Sequence, residues 1–199
     1  MRDLTYLIST SLDGYIADVD GRYSANPNPP DLIAASAELF PETFLGRERE
    51  VLGLDGPGRR FDTVVMGLGT YQMMVRHGDP NPFPHLRQYV LTRDTAGLAQ
   101  TEPSITFVDA PAAELVGALR QEESQLGIWL CGGSRLASSL VNEIDRLVLR
   151  MCPVILGDGV PLFARGIAAQ PQEFLSAKPL PSGAMIVSYR RPKARDCDT

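Results

Sequence analysis

Two glycine-containing turns are the segments whose residue types and spacing could bind a ligand. Residues 132–133 are glycines that follow the apolar run 128–131, and residues 67–69 read Gly-Leu-Gly after the run 61–66, which ends in Val-Val-Met. Each run has the length of a buried strand, and helical spacing follows each turn. Glycine leaves no Cβ in the way of a ligand, and the free N–H groups of a helix start favour a phosphate. Two such turns in one chain predict a phosphate-binding site.

Polar side chains stand where three helices are expected to begin. Ser134 follows the glycine pair 132–133, and Thr70 follows the other glycine turn. Asp31 comes directly after a proline and precedes a helical pattern. Side chains of these types accept hydrogen bonds from the first N–H groups of a helix. We therefore expect each of the three to cap the helix behind it.

The composition fits one globular domain that does not bind nucleic acid. The chain has 199 residues, of which 44% are hydrophobic and 22% charged, enough for an ordinary core. We expect a single domain over residues 1–191 and a flexible polar tail over 192–199. The formal net charge of -5 argues against nucleic acid as a partner, because phosphate neutralisation needs clustered Lys and Arg. No apolar run approaches the length of a membrane span.

Cysteine and histidine usage favours a cytoplasmic protein without a metal site. Cys131, Cys152 and Cys197 are odd in number and scattered, which predicts neither a disulfide framework nor a zinc site. His77 and His85 lie in a proline-rich loop and have no partner at metal-ligand spacing. We expect neither histidine to be catalytic.

Strand and helix patterns alternate along most of the chain, and strands alone follow. The expected strands cover residues 4–9, 61–66, 88–92, 105–108, 128–131, 146–151, 173–177 and 184–189. The expected helices cover residues 32–40, 42–51, 70–75, 111–119 and 134–141. A turn with Pro and Gly joins the last two strands, which is typical of a hairpin. This order predicts a mostly parallel α/β sheet flanked by helices, with an antiparallel C-terminal edge.

Three segments together resemble the dihydrofolate-reductase-like superfamily, most closely the branch that contains the reductase domain of the riboflavin-pathway deaminase–reductase. They are residues 9–17 (STSLDGYIA), residues 64–71 (VVMGLGTY), and residues 130–134 (LCGGS) with 145–147 and 153–163 behind them. The resemblance covers about residues 3 to 190. It implies an eight-stranded sheet with an antiparallel last strand, NADPH as hydride donor, and a homodimer.

The resemblance also implies which residues contact the cofactor and the substrate. The implied cofactor-binding residues are Ile16, Ala17, Gly67, Gly69, Thr70, Tyr71, Thr92, Arg93, Gly132, Gly133, Ser134, Arg135 and Leu136. The implied substrate-binding residues are Ser9, Thr10 and Asp13. In this scheme the pyrophosphate lies at the two glycine turns, the adenosine ribose meets residues 92–93, and residues 16–17 close over the nicotinamide. Residues 9–10 line the floor between cofactor and substrate.

One position departs from the pattern of the resembled family. An arginine often follows the first glycine of its Gly-Arg-x-Thr motif, and this chain has Leu68 there. Leucine cannot pair with the 2′-phosphate that distinguishes NADPH, so any preference for NADPH rests on Arg93, and NADH remains an alternative.

The candidate catalytic residue is Asp31. By resemblance, a carboxylate near the start of the first helix holds the ring of the substrate in dihydrofolate reductases; the alternative is a plain helix cap. Asp13 has a similar alternative, that of a turn residue beside Gly14. Glu38 and Glu42 are expected in solvent.

These observations predict an NAD(P)H-dependent reductase of a small heteroaromatic or ring-containing substrate. The alternative is a protein that binds a dinucleotide without turnover. An ordinary Rossmann enzyme is disfavoured, because no Gly-x-Gly-x-x-Gly follows the first strand. A homodimer through the C-terminal part of the sheet is expected, since the apolar residues between 146 and 163 exceed what one core needs.

Overall fold

The computed structural model describes residues 1–56 and 58–192. The tail expected over 192–199 therefore lies, after its first residue, outside the described residues, as does Cys197. The strands are β1 Leu4–Thr10, β2 Tyr15–Ala17, β3 Phe61–Gly67, β4 Arg87–Leu91, β5 Thr106–Val108, β6 Gly127–Gly132, β7 Arg146–Met151, β8 Val160–Pro161, β9 Glu173–Pro179 and β10 Met185–Arg190. The helices are α1 Pro30–Leu39, α2 Gly46–Leu52, α3 Leu68–Arg76, α4 Ala96–Thr101, α5 Ala112–Gln121 and α6 Ser134–Ser139.

Eight strands form the central sheet in the order β5-β4-β3-β6-β1-β7-β10-β9. All pairs from β5 to β7 are parallel, whereas β10 runs antiparallel to both β7 and β9. The predicted fold class, a mostly parallel sheet flanked by helices with an antiparallel C-terminal edge, is confirmed. β2 and β8 form a separate two-stranded sheet that was not predicted, because three and two residues are too short to show a pattern.

Each face of the sheet buries its side chains against helices. One face, which we call the α1 face, carries Leu7 and Trp129 and packs against Leu32 of α1. The opposite face, the α5 face, carries Tyr6 and Leu130 with side chains of α5 and α6. Successive strand residues point to opposite faces, so the alternation of these residues along β1 and β6 creates two cores from one sheet. The indole Nε1 of Trp129 also donates to the Leu7 carbonyl at 3.1 Å, which ties β6 to β1.

The position of β7 accounts for the apolar residues from 147 to 151, whereas Ile155 beyond the strand is 72% exposed. β7 pairs with β1 on one side and with β10 on the other, so it is an interior strand. Val148 is 4% exposed and packs on the α1 face, while Leu147 packs on the α5 face. For the β7 part of the span, the expectation that it exceeds one core was therefore wrong. Interior strands of a parallel sheet are apolar on both faces because helices cover both.

The predicted helix caps were wrong in all three cases. α6 begins at Ser134 itself, with Gly133 in the capping position, and α3 begins at Leu68, two residues before Thr70. α1 begins at Pro30, so Asp31 lies inside its first turn. None of these three helices has a side-chain cap. The glycine or proline before each helix takes the capping position and has no acceptor to offer.

Glu42 is fully buried, which corrects the expectation that it lies in solvent. Its Oε1 accepts hydrogen bonds from the N–H groups of Arg60 (2.6 Å) and Phe61 (2.8 Å). The short 3-10 turn Pro41–Thr43 holds the carboxylate at the beginning of β3, where strand N–H groups are free. Glu38 is exposed and pairs with Lys178 at 2.8 Å.

Candidate functional site

The two glycine turns lie side by side at the carboxyl ends of adjacent strands. β3 and β6 are parallel neighbours, with Met66 in register with Gly132. A Cβ placed on Gly133 would lie 3.4 Å from the hydroxyl oxygen of Thr70, and one on Gly67 would lie 3.9 Å from the Gly132 carbonyl oxygen. The structure thus brings the starts of α3 and α6 together.

Gly132 has a backbone conformation that favours glycine. Its φ is +115°, and an added Cβ would lie 3.7 Å from the ring of Tyr6. The peptide bond between Gly132 and Gly133 is cis. On the other turn, an added Cβ at Gly69 would meet open space. The backbone of both turns is therefore free of side chains where a ligand could approach.

The polar groups at these turns have few partners within the protein. Ser134 is 6% exposed, and its hydroxyl has no hydrogen-bond partner among the described residues. Without a side-chain cap, the first N–H groups of α3 and α6 also lack a side-chain acceptor. An orphan hydroxyl beside two uncapped helix starts fits an anionic oxygen such as that of a pyrophosphate.

Two arginines flank the turns. Arg93 follows β4, the neighbour of β3, and Arg135 is the second residue of α6; both are exposed. Thr92 accepts a hydrogen bond from the Asp94 N–H at 3.1 Å, which shapes the loop after β4. Leu68 packs against the core of the α1 face.

Two other predicted cofactor residues contribute packing. Tyr71 is 3% exposed and donates its hydroxyl to the Pro80 carbonyl at 3.0 Å. Leu136 packs against the core of the α5 face. These two side chains hold α3 and α6 in place, so we infer that they position the glycine turns.

The segment after β1 is fastened to a distant loop. Asp13 accepts hydrogen bonds from the Ser11 hydroxyl (2.6 Å) and from the N–H groups of Leu156 (3.1 Å) and Gly157 (2.7 Å). The Ser11 hydrogen bond, followed by those of the two backbone N–H groups, lowers the pKa of Asp13 below its ordinary value. The carboxylate therefore braces its own turn and is occupied by protein groups.

The same segment forms the two-stranded sheet with β8. Ala17 pairs with Val160, and a Cβ on Gly159 would lie 2.2 Å from the Ala17 carbonyl oxygen. Ile16 lies between the two paired residues of β2. We call residues 11–17 the flap; it is held at both of its ends by the segment 154–161.

The floor beneath the flap is the end of β1. Thr10 is 2% exposed, and its hydroxyl donates to the Ser11 carbonyl at 3.2 Å. Ser9 is half-buried and lies in register with Arg150 of β7. Both floor residues thus stand at the carboxyl edge, one strand away from the glycine turn of β6.

Asp31 is turned toward the hairpin at the sheet edge. Its Oδ2 accepts from the Ser182 N–H at 2.8 Å, and its Oδ1 accepts from the Leu32 N–H at 2.8 Å. The hydrogen bond from Ser182 lowers the pKa of Asp31. A proton donor needs a pKa near the working pH, and this environment shifts the carboxyl in the opposite direction.

The histidines are engaged in local contacts. The His85 Nε2 lies 2.8 Å from the Glu42 carbonyl oxygen, and burial lowers the pKa of this histidine. The His77 Nδ1 lies 2.8 Å from the Met73 carbonyl oxygen. Among the described residues, no group of three or more His, Cys, Asp or Glu side chains could hold a metal ion. Over the same residues, no helix is long and apolar enough to cross a membrane.

A cavity of about 700 Å³ lies at the other edge of the sheet, away from the glycine turns. Its wall includes Arg2, Phe61 and Gly127 at the beginnings of β1, β3 and β6, together with Phe40 and Leu175. In open α/β sheets ligands bind at the carboxyl ends of the strands, so we locate the candidate site at the glycine turns in spite of this larger opening.

One residue near the site was missed by the sequence analysis. Arg150 lies inside β7 within an otherwise apolar run, and its buried Nε has no hydrogen-bond partner among residues 1–56 and 58–192. A charged residue within a strand that is buried on both faces is the sequence signal that could have identified it.

Sequence comparison finds relatives without an assigned role. No family model matches the chain. The uncharacterized protein YwjB of Bacillus subtilis (strain 168) is 29% identical over 164 residues, which cover 81% of this chain and 83% of YwjB. The uncharacterized protein YyaP of the same organism is 27% identical over 114 residues, which cover 52% of this chain and 60% of YyaP.

Solved structures with the same fold include three proteins named for reductases or riboflavin biosynthesis. A putative riboflavin biosynthesis protein from Shewanella sp. PV-4 has a TM-score of 0.71 and 22% identity, over 97% of this chain and 100% of that one. The diaminohydroxyphosphoribosylaminopyrimidine deaminase/5-amino-6-(5-phosphoribosylamino)uracil reductase of Thermotoga maritima has a TM-score of 0.65 and 15% identity, over 96% of this chain and 57% of that one.

The third is a pyrimidine reductase-like protein from Corynebacterium diphtheriae, with a TM-score of 0.61 and 13% identity over 97% of this chain and 93% of that one. The three likenesses confirm the dihydrofolate-reductase-like fold implied by the sequence motifs.

Proposed function

We propose that this protein is a reductase that transfers a hydride from NADPH to a small heteroaromatic or other ring-containing substrate. The observation that carries the proposal is the meeting of two uncapped, glycine-bounded helix starts at the carboxyl ends of adjacent strands, beside the orphan hydroxyl of Ser134. The fold, shared with pyrimidine and riboflavin-pathway reductases, adds support.

The residues of the chain would mainly bind and orient. The N–H groups at Gly69, Thr70, Gly133 and Ser134 would hold the pyrophosphate. Arg93 would contact the phosphate on the adenosine ribose as a charged fork. When bound, NADPH supplies the hydride; alignment of its ring with the acceptor carbon and exclusion of water are the contribution of the protein.

The flap and the floor would define the space for the reacting rings. Ser9 and Thr10 form the floor, and Ile16 and Ala17 would cover the nicotinamide. The anchoring of Asp13 by backbone N–H groups supports a flap that is ordered before the cofactor arrives. A preordered cover lowers the entropy lost on binding.

The proton that accompanies the hydride would come from water. Asp31 was the candidate donor, and its carboxylate is occupied by the Ser182 and Leu32 N–H groups. Its lowered pKa keeps it ionised at neutral pH, so it would act as a brace between α1 and the C-terminal hairpin.

The hydrogen bonds that engage Asp31 also favour a second candidate function, dinucleotide binding without turnover. With Asp31 engaged elsewhere, the cleft has one fewer acid for chemistry, while the binding features remain. The two candidates differ only in whether an acceptor is reduced.

Calorimetric titration with NADPH and with NADH tests the binding step that both candidates share. Addition of pyrimidine and pteridine compounds to the NADPH-loaded protein, followed by the loss of reduced-nicotinamide absorbance, then separates them. Binding together with substrate-dependent oxidation supports the reductase, and binding without oxidation by any ring compound supports the second candidate. Absence of binding of either nucleotide refutes both.

We also propose a homodimer, formed through the edge strand β9. All seven residues of β9 are exposed, including Phe174 (62%) and Leu175 (37%). Leu175 also borders the 700 Å³ cavity with Leu39 and Phe40, so apolar surface continues from the edge into the cavity. Apolar surface on an edge strand is typical of an interface, and a second copy is the default partner. Light scattering at micromolar concentration should report about twice 21.7 kDa, and Phe174→Lys should reduce it to the monomer.

A further inference from the structure

Arg150 lies on the α1 face near the carboxyl edge of the sheet. It pairs in register with Ser9 of β1 on one side and with Ile186 of β10 on the other. Side chains alternate along a strand, so Arg150 points to the same face as Val148, whose side chain belongs to the core of the α1 face. The Arg150 side chain therefore leaves the sheet on the α1 face, at the position in register with the floor residue Ser9.

The guanidinium of Arg150 has no anionic partner within the described residues. Its Nε is buried and makes no hydrogen bond. Other buried arginines differ: Arg49 donates to the Pro41 and Gly56 carbonyls, and Arg2 donates to carboxylates, a hydroxyl and carbonyls. Arg150 is half-buried, so part of the residue remains accessible to solvent.

The groups around Arg150 do not neutralise its charge. Burial raises the pKa of the Cys131 thiol to about 12 and raises that of the Cys152 thiol, so both are uncharged at neutral pH. The Glu48 carboxylate interacts electrostatically with Arg150. Glu48 is exposed, however, and accepts a hydrogen bond from the Leu45 N–H at 3.0 Å. Burial lowers the pKa of Arg150, but a guanidinium remains charged in proteins. A buried charge without a partner destabilises the free protein, and perturbed charged groups of this kind cluster at functional sites.

We propose that Arg150 binds an anionic group of the ring substrate, a carboxylate or a phosphate. That the anion belongs to a substrate rests on the proposed function, whereas the existence of the anion site does not depend on it. The planar fork of arginine matches two oxygens of either group. β7 lies two strands from β6, about 10 Å at the usual strand spacing, which leaves the width of β1 for a ring between Arg150 and the glycine turn.

The test uses three variants of the full chain. Arg150→Met removes the charge and keeps an apolar stem, while Arg150→Lys keeps the charge and loses the fork. The matched control is Arg146→Met, four residues earlier on the same strand and face, where the side chain is exposed and pairs with Asp3 at 3.0 Å. Affinities for inorganic phosphate and for formate are measured by calorimetry at constant ionic strength. The titrations are run with and without saturating NADPH, because phosphate also competes for the glycine turns.

We expect Arg150→Met to unfold at the same temperature as the wild type or higher, and to bind phosphate or formate at least about tenfold more weakly in the presence of NADPH. Arg150→Lys should lose part of the affinity, and Arg146→Met none. Whichever anion binds the wild type identifies the group as phosphate or carboxylate.

Two results overturn the inference: equal anion affinity in wild type and Arg150→Met, or a clear loss of thermal stability in both Arg150 variants but not in Arg146→Met, which would make Arg150 a structural residue. NADPH affinity should be unchanged in all three variants. If the wild type binds no NADPH yet loses anion binding on Arg150→Met, the anion site stands and the proposed function fails.

Discussion

Arg2 and Arg150 lie at opposite ends of the strands of the central sheet, and they differ in how their charges are compensated. Arg2 precedes β1 at the amino edge, is 4% exposed, and forms ion pairs with Asp62 and with Glu122 (3.0 Å). It also donates to the Thr63 hydroxyl at 2.9 Å and to backbone carbonyls. Arg150, near the carboxyl edge, has a buried Nε that makes no hydrogen bond within the part of the chain that the structure describes. One charge is compensated within the protein, and the other is left for a partner.

The surroundings of each arginine continue the same contrast. At the amino edge, Asp145 accepts the Leu4 N–H at 2.8 Å and pairs with Arg120 at 2.7 Å and Arg191 at 3.0 Å. At the carboxyl edge, the Ser134 hydroxyl has no partner within the described residues, and the neighbouring helices start without side-chain caps. The arginines at the amino edge pair with carboxylates, whereas Arg150 at the carboxyl edge has no such partner among the described residues. This difference separates the residues needed for stability from those that can bind.

The largest effect, a loss of stability, is expected for a substitution at the amino edge of the sheet. Arg2→Met leaves Asp62 and Glu122 without their buried partner, and loss of one member of a buried charge network costs about 3–5 kcal/mol of unfolding free energy. Urea denaturation measures it. Arg190→Met, which breaks the exposed pair with Glu173, is the control and should cost at most about 1 kcal/mol. Similar losses in the two variants would remove the distinction between the edges.

The second largest effect, a loss of cofactor affinity, is expected for a substitution at the carboxyl edge of the sheet. Gly133→Val places a branched side chain beside Thr70, where the pyrophosphate would lie, and should weaken NADPH binding by about a hundredfold, or roughly 2.7 kcal/mol. Calorimetric titration measures the loss. Gly117→Val on the exposed surface of α5, where an added Cβ meets open space, should leave the affinity unchanged. Unchanged binding in a folded Gly133→Val protein would show that the cofactor site lies elsewhere.

A smaller effect concerns the choice between cofactors. Arg93→Ala should weaken NADPH binding by about tenfold and affect NADH little, because a charged hydrogen bond to phosphate contributes about 1.5–3 kcal/mol. Arg76→Ala, in the last turn of α3, serves as the control for the loss of an exposed positive charge. Equal losses for the two nucleotides would mean that Arg93 does not contact the 2′-phosphate.

The smallest effect should be a pH dependence at the flap. The pKa of Asp13 is lowered in the folded protein, so its contribution to stability is present above the unfolded value of about 3.9 and is lost as the pH falls below it. Asp13→Asn should therefore unfold at a lower temperature than the wild type at pH 6, and the difference should shrink toward pH 3. A difference that stays constant across this range would contradict the role of the ionised carboxylate.

The elements of the fold could be predicted where periodicity is strong. All eight strands of the central sheet and the antiparallel hairpin β9–β10 follow from apolar patterns and turn residues. α4 escaped prediction because six residues, Ala-Gly-Leu-Ala-Gln-Thr, give too few turns for an apolar stripe. The role of the apolar span in β7 was misjudged because the strand order, and with it the interior position of β7, depends on long-range pairing.

The site was less accessible to sequence analysis than the fold. The glycine turns could be recognised because strand, glycine and helix follow one another locally. Whether a polar side chain is free to contact a ligand depends on hydrogen-bond partners that are distant in sequence. Asp31 is engaged by Ser182, and Asp13 by Gly157. Arg150 was missed although a charged residue within an apolar strand is a local signal, because its lack of a partner depends on the fold and is not visible in the sequence.

Trp129 gives the protein an optical property. It is the single tryptophan of the chain, is 3% exposed, and lies on β6 three residues before Gly132. An indole shielded from water emits at shorter wavelengths than one in solvent, so the intrinsic fluorescence should be blue-shifted. Tryptophan emission overlaps the absorption of a reduced nicotinamide, and a cofactor bound at the end of the same strand would quench it by energy transfer. The fold thus carries a built-in fluorophore that can report cofactor occupancy without a label.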